Sequence, residues 1–315
     1  GNVRGGTNST LTYQIGNTGT GASIRGAIQN GAPGLGSIND ARLSGAGVTA
    51  ANFGPIAAAT NSGNLAVTLT AGATGGALSS QSIAAVSNFS NVATQTLNIT
   101  GFTTVLATGT ATPNPSIDLG NFRVGLLPPP TTLSVANNIS GPGAERLGIG
   151  SASASGVFSA TNNLGAGFIA PGASLANAIG VAATSGVVGT NTGTLAIQYT
   201  TNGTLIDPLF TTINSNLQNI ALTAQGFLPA QPTLPVSIDL GNFRAVQGRA
   251  PQTFAIINTD NAPTTPGFQE ALNTTPGATT NGVTLGGSIN LLAQGASSSA
   301  MNVGFAGVSF KDATR

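Results

Sequence analysis

The chain has no cysteine, no histidine and no tryptophan, and its single methionine and single lysine are Met301 and Lys311. Charged residues make up 5% of its 315 positions, where about 25% is usual. Each shortage excludes something. Without cysteine there are no disulfides and no thiolate chemistry. Without histidine as well, there is no Ser-His-Asp triad and no usual zinc site. Lys311 is followed by Asp312, so the Gly-Lys-Ser/Thr end of a P-loop is absent. The basic residues do not cluster, which argues against nucleic acid as a partner. No stretch approaches the ~18 apolar residues of a membrane span. A net charge of +1 gives little colloidal repulsion. Such a chain suits assembly or a fixed place on a surface better than life as a free monomer.

What is present is an apolar share of 40%, enough to bury a core. It comes in short alternating runs bounded by Gly, Asn and Pro, the signature of half-buried strands in an all-β fold. Residues 175–183 and 289–293 come nearest to a helical pattern, but Gly, Ser and Asn weaken it there.

One phrase orders the rest. Ile117-Asp118-Leu119-Gly120-Asn121-Phe122-Arg123 returns as Ile238-Asp239-Leu240-Gly241-Asn242-Phe243-Arg244, and in cut form as Gly1-Asn2-Val3-Arg4. Its spacing, about 120 residues, is the size of one β-sandwich, and such self-similarity marks a repeat architecture. A dozen residues further on, each copy has an alternating strand that ends in Asn: Asn17, Asn137 and Asn258. Asn suits the turn that follows. Closing runs at 195–199 and 220–222 complete the second copy. Segments 103–115 and 228–235 carry prolines and read as stiff linkers. Pro128-Pro129-Pro130 blocks a ladder and fits an edge or a crossover between sheets. The expected fold is therefore three tandem Ig-like β-sandwich domains, over 1–112, 113–232 and 233–315. The first lacks its opening strand and the third its closing strands. Unpaired edges invite aggregation. Either further residues complete them, or a neighbouring molecule supplies strands by β-addition.

The phrase Asp-Leu-Gly-Asn-Phe-Arg-Val-Gly, followed by an alternating strand ending in Asn, resembles the bacterial choice-of-anchor D repeat. The likeness covers 1–21, 117–138 and 238–261. It extends through Ile257-Asn258-Thr259-Asp260-Asn261-Ala262-Pro263 into 267–273. That resemblance implies an Ig-like sandwich related to the ASH type, on large secreted or surface-anchored bacterial proteins. It implies no catalytic residues.

Chemistry is sparse. With 45 glycines, Gly-rich strings such as 19–26 arise by chance and are not phosphate cradles. Glycosidases need two carboxylates within roughly 5–10 Å. Asp118 and Asp239 are equivalent positions in different copies, and nothing places Asp260 and Glu270 in one cleft. Asp260 with Asn258 and Asn261 is the only local cluster with a claim on calcium, and an Asn/Asp turn explains it better. Asn-X-Ser/Thr triplets at Asn8, Asn88, Asn98, Asn138, Asn202 and Asn273 are expected by chance in this composition. Arg4, Arg123 and Arg244 share one repeat position. They read as ties from the first strand to a loop or an interdomain seam rather than as ligand contacts. Asp118 and Asp239 are their candidate partners if a bulge at Gly120-Asn121 brings them to one side.

The expected protein is thus not an enzyme and holds no cofactor or metal. It is a structural subunit of an extracellular bacterial assembly, a filament, sheath or surface layer, whose partners are copies of itself. An adhesin stalk or glycan-binding surface module is the alternative. It is disfavoured because the chain's only tyrosines, Tyr13 and Tyr199, both fall in strand patterns.

Overall fold

The middle copy shows what the repeated phrase builds. In Ser116–Arg123, Ile117 and Leu119 alternate with Ser116 and Asp118, so a strand turns the apolar pair inward. At Gly120 the backbone takes a φ of +81°. The Asp118 carboxylate accepts the Gly120 N–H at 2.9 Å, and the ladder register shifts between Asp118 and Asn121. This bulge advances the alternation by one residue, so Phe122 is buried and Asn121 is not. A Cβ added at Gly120 would meet nothing. The glycine is needed for its backbone angle, not for space.

The structure, a computed structural model, describes residues 1–31, 36–244, 248–261, 266–280 and 282–306. Among them no helix forms, and the fold is all-β. The two segments with the nearest helical pattern are strands, within Ser174–Ala183 and Ile289–Leu292.

In the middle copy two four-stranded sheets face each other. One runs Gly109–Thr112, Thr131–Asn137, Ser174–Ala183, Phe158–Asn162; the other runs Ser116–Arg123, Ile213–Phe227, Gly189–Asn202, Arg146–Ala154. All neighbours are antiparallel except the opening strand Ser116–Arg123, which lies parallel to the last strand Ile213–Phe227. Between the sheets Leu133, Leu147, Ile179, Leu195, Ile197, Tyr199, Ile220 and Leu222 are wholly buried. Full burial of one such side chain is worth about 1.5–3 kcal/mol. Pro128-Pro129-Pro130 lies where the chain crosses from one sheet to the other, as its missing N–H groups require.

Segment 103–115 is more than a linker. Gly109–Thr112 pairs with Thr131–Asn137 as a strand of the middle copy. The prolines at 113 and 115 follow this strand rather than interrupt it, so its ladder stays whole. Its other edge is met by side chains. The Asn216 amide bonds Gly109 N and O, both at 2.8 Å. The Gln218 amide bonds Ala111 N at 2.7 Å and Ala111 O at 3.2 Å. Two amides on the last strand thus stand in for a ladder and close the gap between the sheets. Likewise Pro232–Thr233, from the second expected linker, pairs with Arg249–Asn258.

The first copy is cut into shorter pieces. Asn8–Tyr13, Leu65–Thr70 and Leu43–Ser44 form one sheet; Gln95–Ile99, Gln81–Ser87, Ile24–Gln29 and Ala51–Ile56 form another. Asn2–Val3, at the place of the opening strand, pairs in parallel with Phe102–Thr103. The core is split around Leu43 and Leu69 on one side and Ile28, Val48 and Ile83 on the other.

The third copy repeats one sheet in full: Pro232–Thr233, Arg249–Asn258, Ser297–Phe305, Val283–Gly286. Its second sheet, among the described residues, is Leu272–Thr274 with Ile289–Leu292 alone. The phrase Ile238–Arg244 forms no ladder there. Its Phe243 is exposed and rests on the Phe305 ring at 5.0 Å.

Candidate functional site: the junctions between copies

Each copy carries a buried asparagine at the end of its first long strand or just beyond it, and all three make the same pair of bonds. Asn137 Nδ2 donates to Glu145 O at 3.1 Å and Ile169 O at 3.4 Å. Asn258 Nδ2 donates to Glu270 O at 3.1 Å and Leu292 O at 3.0 Å. Asn17 Nδ2 donates to Ala22 O at 3.1 Å and Ile56 O at 3.0 Å. Asn17 and Asn137 also receive the N–H two residues on, the turn role that the sequence suggests. The main task of these residues is to pin a loop into the sandwich, since a buried amide needs partners. What stands on that loop faces the preceding copy.

On the loops of the second and third copies stand Glu145 and Glu270. Each is met by the arginine of the copy before it. Arg4 Nε donates to Glu145 Oε1 at 3.0 Å and its Nη2 to Oε2 at 2.7 Å. Arg123 Nε donates to Glu270 Oε1 at 2.8 Å and its Nη2 to Oε2 at 2.6 Å. The same atoms meet in the same two-pronged geometry, which is the guanidinium's way of fixing direction as well as distance. Main-chain bonds repeat beside them. Val105 N donates to Gly143 O at 2.9 Å and Val105 O accepts Glu145 N at 3.0 Å; Leu228 N donates to Phe268 O at 2.9 Å and Leu228 O accepts Glu270 N at 2.9 Å. Each junction is therefore a short bridge of backbone plus one arginine–glutamate clasp.

The surroundings of the two clasps differ. Glu145 is fully enclosed and the Arg4 side chain is 11% exposed; for Glu270 and Arg123 the figures are 33% and 53%. The Glu145 carboxylate also accepts the hydroxyls of Thr104 at 2.8 Å and Thr201 at 2.9 Å. Arg4 donates further to Thr211 O and Thr201 O and lies over the Phe210 ring at 5.8 Å. Thr201, Phe210 and Thr211 belong to the end and turn of the closing hairpin formed by Gly189–Asn202 and Ile213–Phe227. Asn2 reaches the same turn and donates to Asp207 at 2.9 Å. The Leu209 N–H and this amide hold the Asp207 carboxyl below its usual range. The third copy has no such hairpin among the described residues, and Glu270 is left partly exposed. There the junction is supported by the Phe227 and Phe268 rings, 5.4 Å apart. Glu270 raises the Arg123 pKa further above its already high ordinary value, chiefly through their hydrogen bonds.

No family model matches the chain. No curated protein matches it either. Several solved structures are similar to it. One is the native α-2-macroglobulin of E. coli, at TM-score 0.28 and 13% identity over 78% of this chain and 18% of that one. Another is protocadherin gamma B7 cadherin domains 1–4, at 0.31 and 8% over 98% and 66%. A third is CfaE, the adhesive subunit of the CFA/I fimbria of enterotoxigenic E. coli, at 0.25 and 13% over 71% and 79%. The chain spans less than a fifth of the macroglobulins it resembles. Likenesses this distant lend no activity or partner to the chain.

The sequence pairs Arg123 and Arg244 with Asp118 and Asp239, and here the structure differs. The bulge does leave Asp118 and Arg123 both on the exposed side. But Asp118 is taken by Gly120 N, and Asp239 accepts Gly241 N at 2.7 Å. A short carboxylate two residues before a positive-φ glycine is satisfied locally before a longer reach can compete. Arg244 has no ion pair among the described residues. Glu145 escaped the sequence reading, although a signal existed: it and Glu270 are the chain's only glutamates. In a chain this poor in charge, two lone acids and a repeated arginine need each other.

The remaining candidates lie elsewhere. Asn258 is wholly buried, and its Oδ1 accepts Gln231 N and Gln269 Nε2, which leaves it nothing for calcium. Asp260 receives the Gln294 amide while Glu270 holds Arg123, so those carboxylates serve different partners. Among the described residues no three carboxylates gather as a metal site would need. Lys311 lies outside the described residues.

Proposed function

We propose that the chain is a structural segment of a bacterial extracellular assembly, a filament, sheath or surface layer. In this reading β-sandwich copies are strung in series and held in fixed relation by arginine–glutamate clasps. Its repeated phrase belongs to the choice-of-anchor D type. The observation that carries the proposal is the recurrence of one junction, atom for atom, between successive copies. A repeated seam suits a rod or layer, where each unit must hold the same angle to the next. It has no use in a soluble catalyst, and the protein is read as no enzyme.

The third copy offers a place for another molecule. The unladdered stretch that follows Pro232–Thr233 leaves a groove beside Arg249–Asn258, lined by Leu234, Ile238, Phe254 and Ile257. A strand added there by a neighbour would gain main-chain bonds and bury that lining. A glycan-binding tip has less support. Tyr199 is wholly buried, and the half-buried Tyr13 spends its hydroxyl on Gly47 O at 2.8 Å. The Tyr199 ring is closed to a sugar, and Tyr13 offers a single, partly buried ring.

Negative-stain electron microscopy of the purified chain at rising concentration tests the reading. Regular polymers that resist dissociation are expected. A clean monomer at high concentration would overturn it.

A further inference from the structure

The three buried asparagines define one equivalent position in each copy: Ala22, Glu145 and Glu270. Two of these positions carry the carboxylate that accepts an arginine; the first copy carries an exposed methyl group instead. At the other end of each unit the donor is repeated without exception, as Arg4, Arg123 and Arg244. Donors and acceptors therefore do not balance. Arg4 and Arg123 are engaged, while Arg244 stands exposed and unpaired among the described residues.

We propose that Arg244 is the donor half of a third clasp, whose partner is a β-sandwich carrying a glutamate at the asparagine-pinned position, and that the first copy of another molecule of this chain is not that partner. The inference rests on the tandem-module reading above. The two occupied clasps fix the chemistry of the missing partner: one carboxylate, presented side-on to Nε and Nη2, on a loop whose carbonyl is held by a buried amide. Ala22 offers no carboxylate. A guanidinium brought against it would lose water without gaining an ion pair, which selects against that contact. Two molecules of this chain that meet thus do so by another surface, such as strand addition at the third copy.

The test is a gain of function. Ala22 is exposed, so Ala22→Glu leaves packing untouched, and circular dichroism checks the fold. Self-association is followed by sedimentation of the full chain as wild type, R244A, A22E and the A22E/R244A double variant. R244A is expected to leave wild-type association unchanged. A22E is expected to tighten head-to-tail association roughly fivefold at low salt, the size of a well-formed surface ion pair. That gain should vanish in the double variant and in high salt. The proposal fails if R244A weakens wild-type association, or if A22E brings no gain that depends on Arg244. Polymers of the wild type in the microscope are unaffected by either result, so this failure and that of the assembly reading are told apart.

Discussion

Ser116–Arg123 and its twin Ser237–Arg244 have the same eight residues and different fates. Part of their structure is identical. Gly120 has φ +81° and Gly241 +71°. In both, the preceding aspartate accepts the glycine N–H. Yet one twin is a strand with Ile117, Leu119 and Phe122 buried, and the other forms no ladder and leaves Phe243 exposed. The kink is written in the local sequence, because its donor and acceptor are two residues apart. The strand is not. It exists where Ile213–Phe227 lies alongside to share main-chain bonds, and where the Gly226 and Gly186 positions leave room for the Phe122 ring. The same contrast governs the clasps. Identical arginine–glutamate geometry is enclosed where the closing hairpin is present and exposed where it is not.

The comparison can be broken at three points. The largest effect is expected from Phe122→Ala, about 4 kcal/mol of lost stability for a buried ring, against little change for Phe243→Ala. Denaturant unfolding followed by hydrogen exchange at each copy separates the two, and equal losses would show that the third copy packs like the second. Next comes Glu145→Ala, which leaves Arg4 partly enclosed and unpaired; about 3 kcal/mol should be lost. Glu270→Ala at the exposed clasp should barely move the melting temperature at physiological salt. Similar losses from both would mean that the closing hairpin contributes nothing to the first junction. The smallest effect is that of pH at the Asn2–Asp207 contact. Asp207 has a folded pKa below its unfolded value, so its contribution is present above the unfolded pKa, near 4. It fades as pH falls through the folded value. Wild type should lose stability over that window slightly more than Asp207→Asn, and parallel pH profiles would count against the contact.

Much of the fold could be read from the residues alone. Alternation announced the strands, and the repeated phrase set the period. A glycine at 120 allowed for the bulge, and the bond from Gly120 N to Asp118, two residues back, is what fixes it. The crossover at Pro128-Pro129-Pro130 was legible because proline cannot serve a ladder. The lead-in strand Gly109–Thr112 was hidden by the prolines that follow it, which look like a linker's. Half of the clasp was legible too. Arg4, Arg123 and Arg244 stand at one repeat position, so their equivalence is plain. Their partners were not, because Glu145 lies 141 residues from Arg4 and Glu270 lies 147 from Arg123. Local chemistry could only nominate the nearer aspartates. What hid Glu145 was the physics of a seam, in which each half is meaningless until the neighbouring unit is in place.

The parallel pairing of the first and last strands of the middle sheet has a mechanical consequence. Tension on the chain draws Ser116 backward along its strand and Phe227 forward along its own. Because the two strands run the same way side by side, their hydrogen bonds are stressed together in shear rather than opened one after another from an end. Once the lead-in strand Gly109–Thr112 has been drawn from its partner Thr131–Asn137, a unit under tension would resist at that pair.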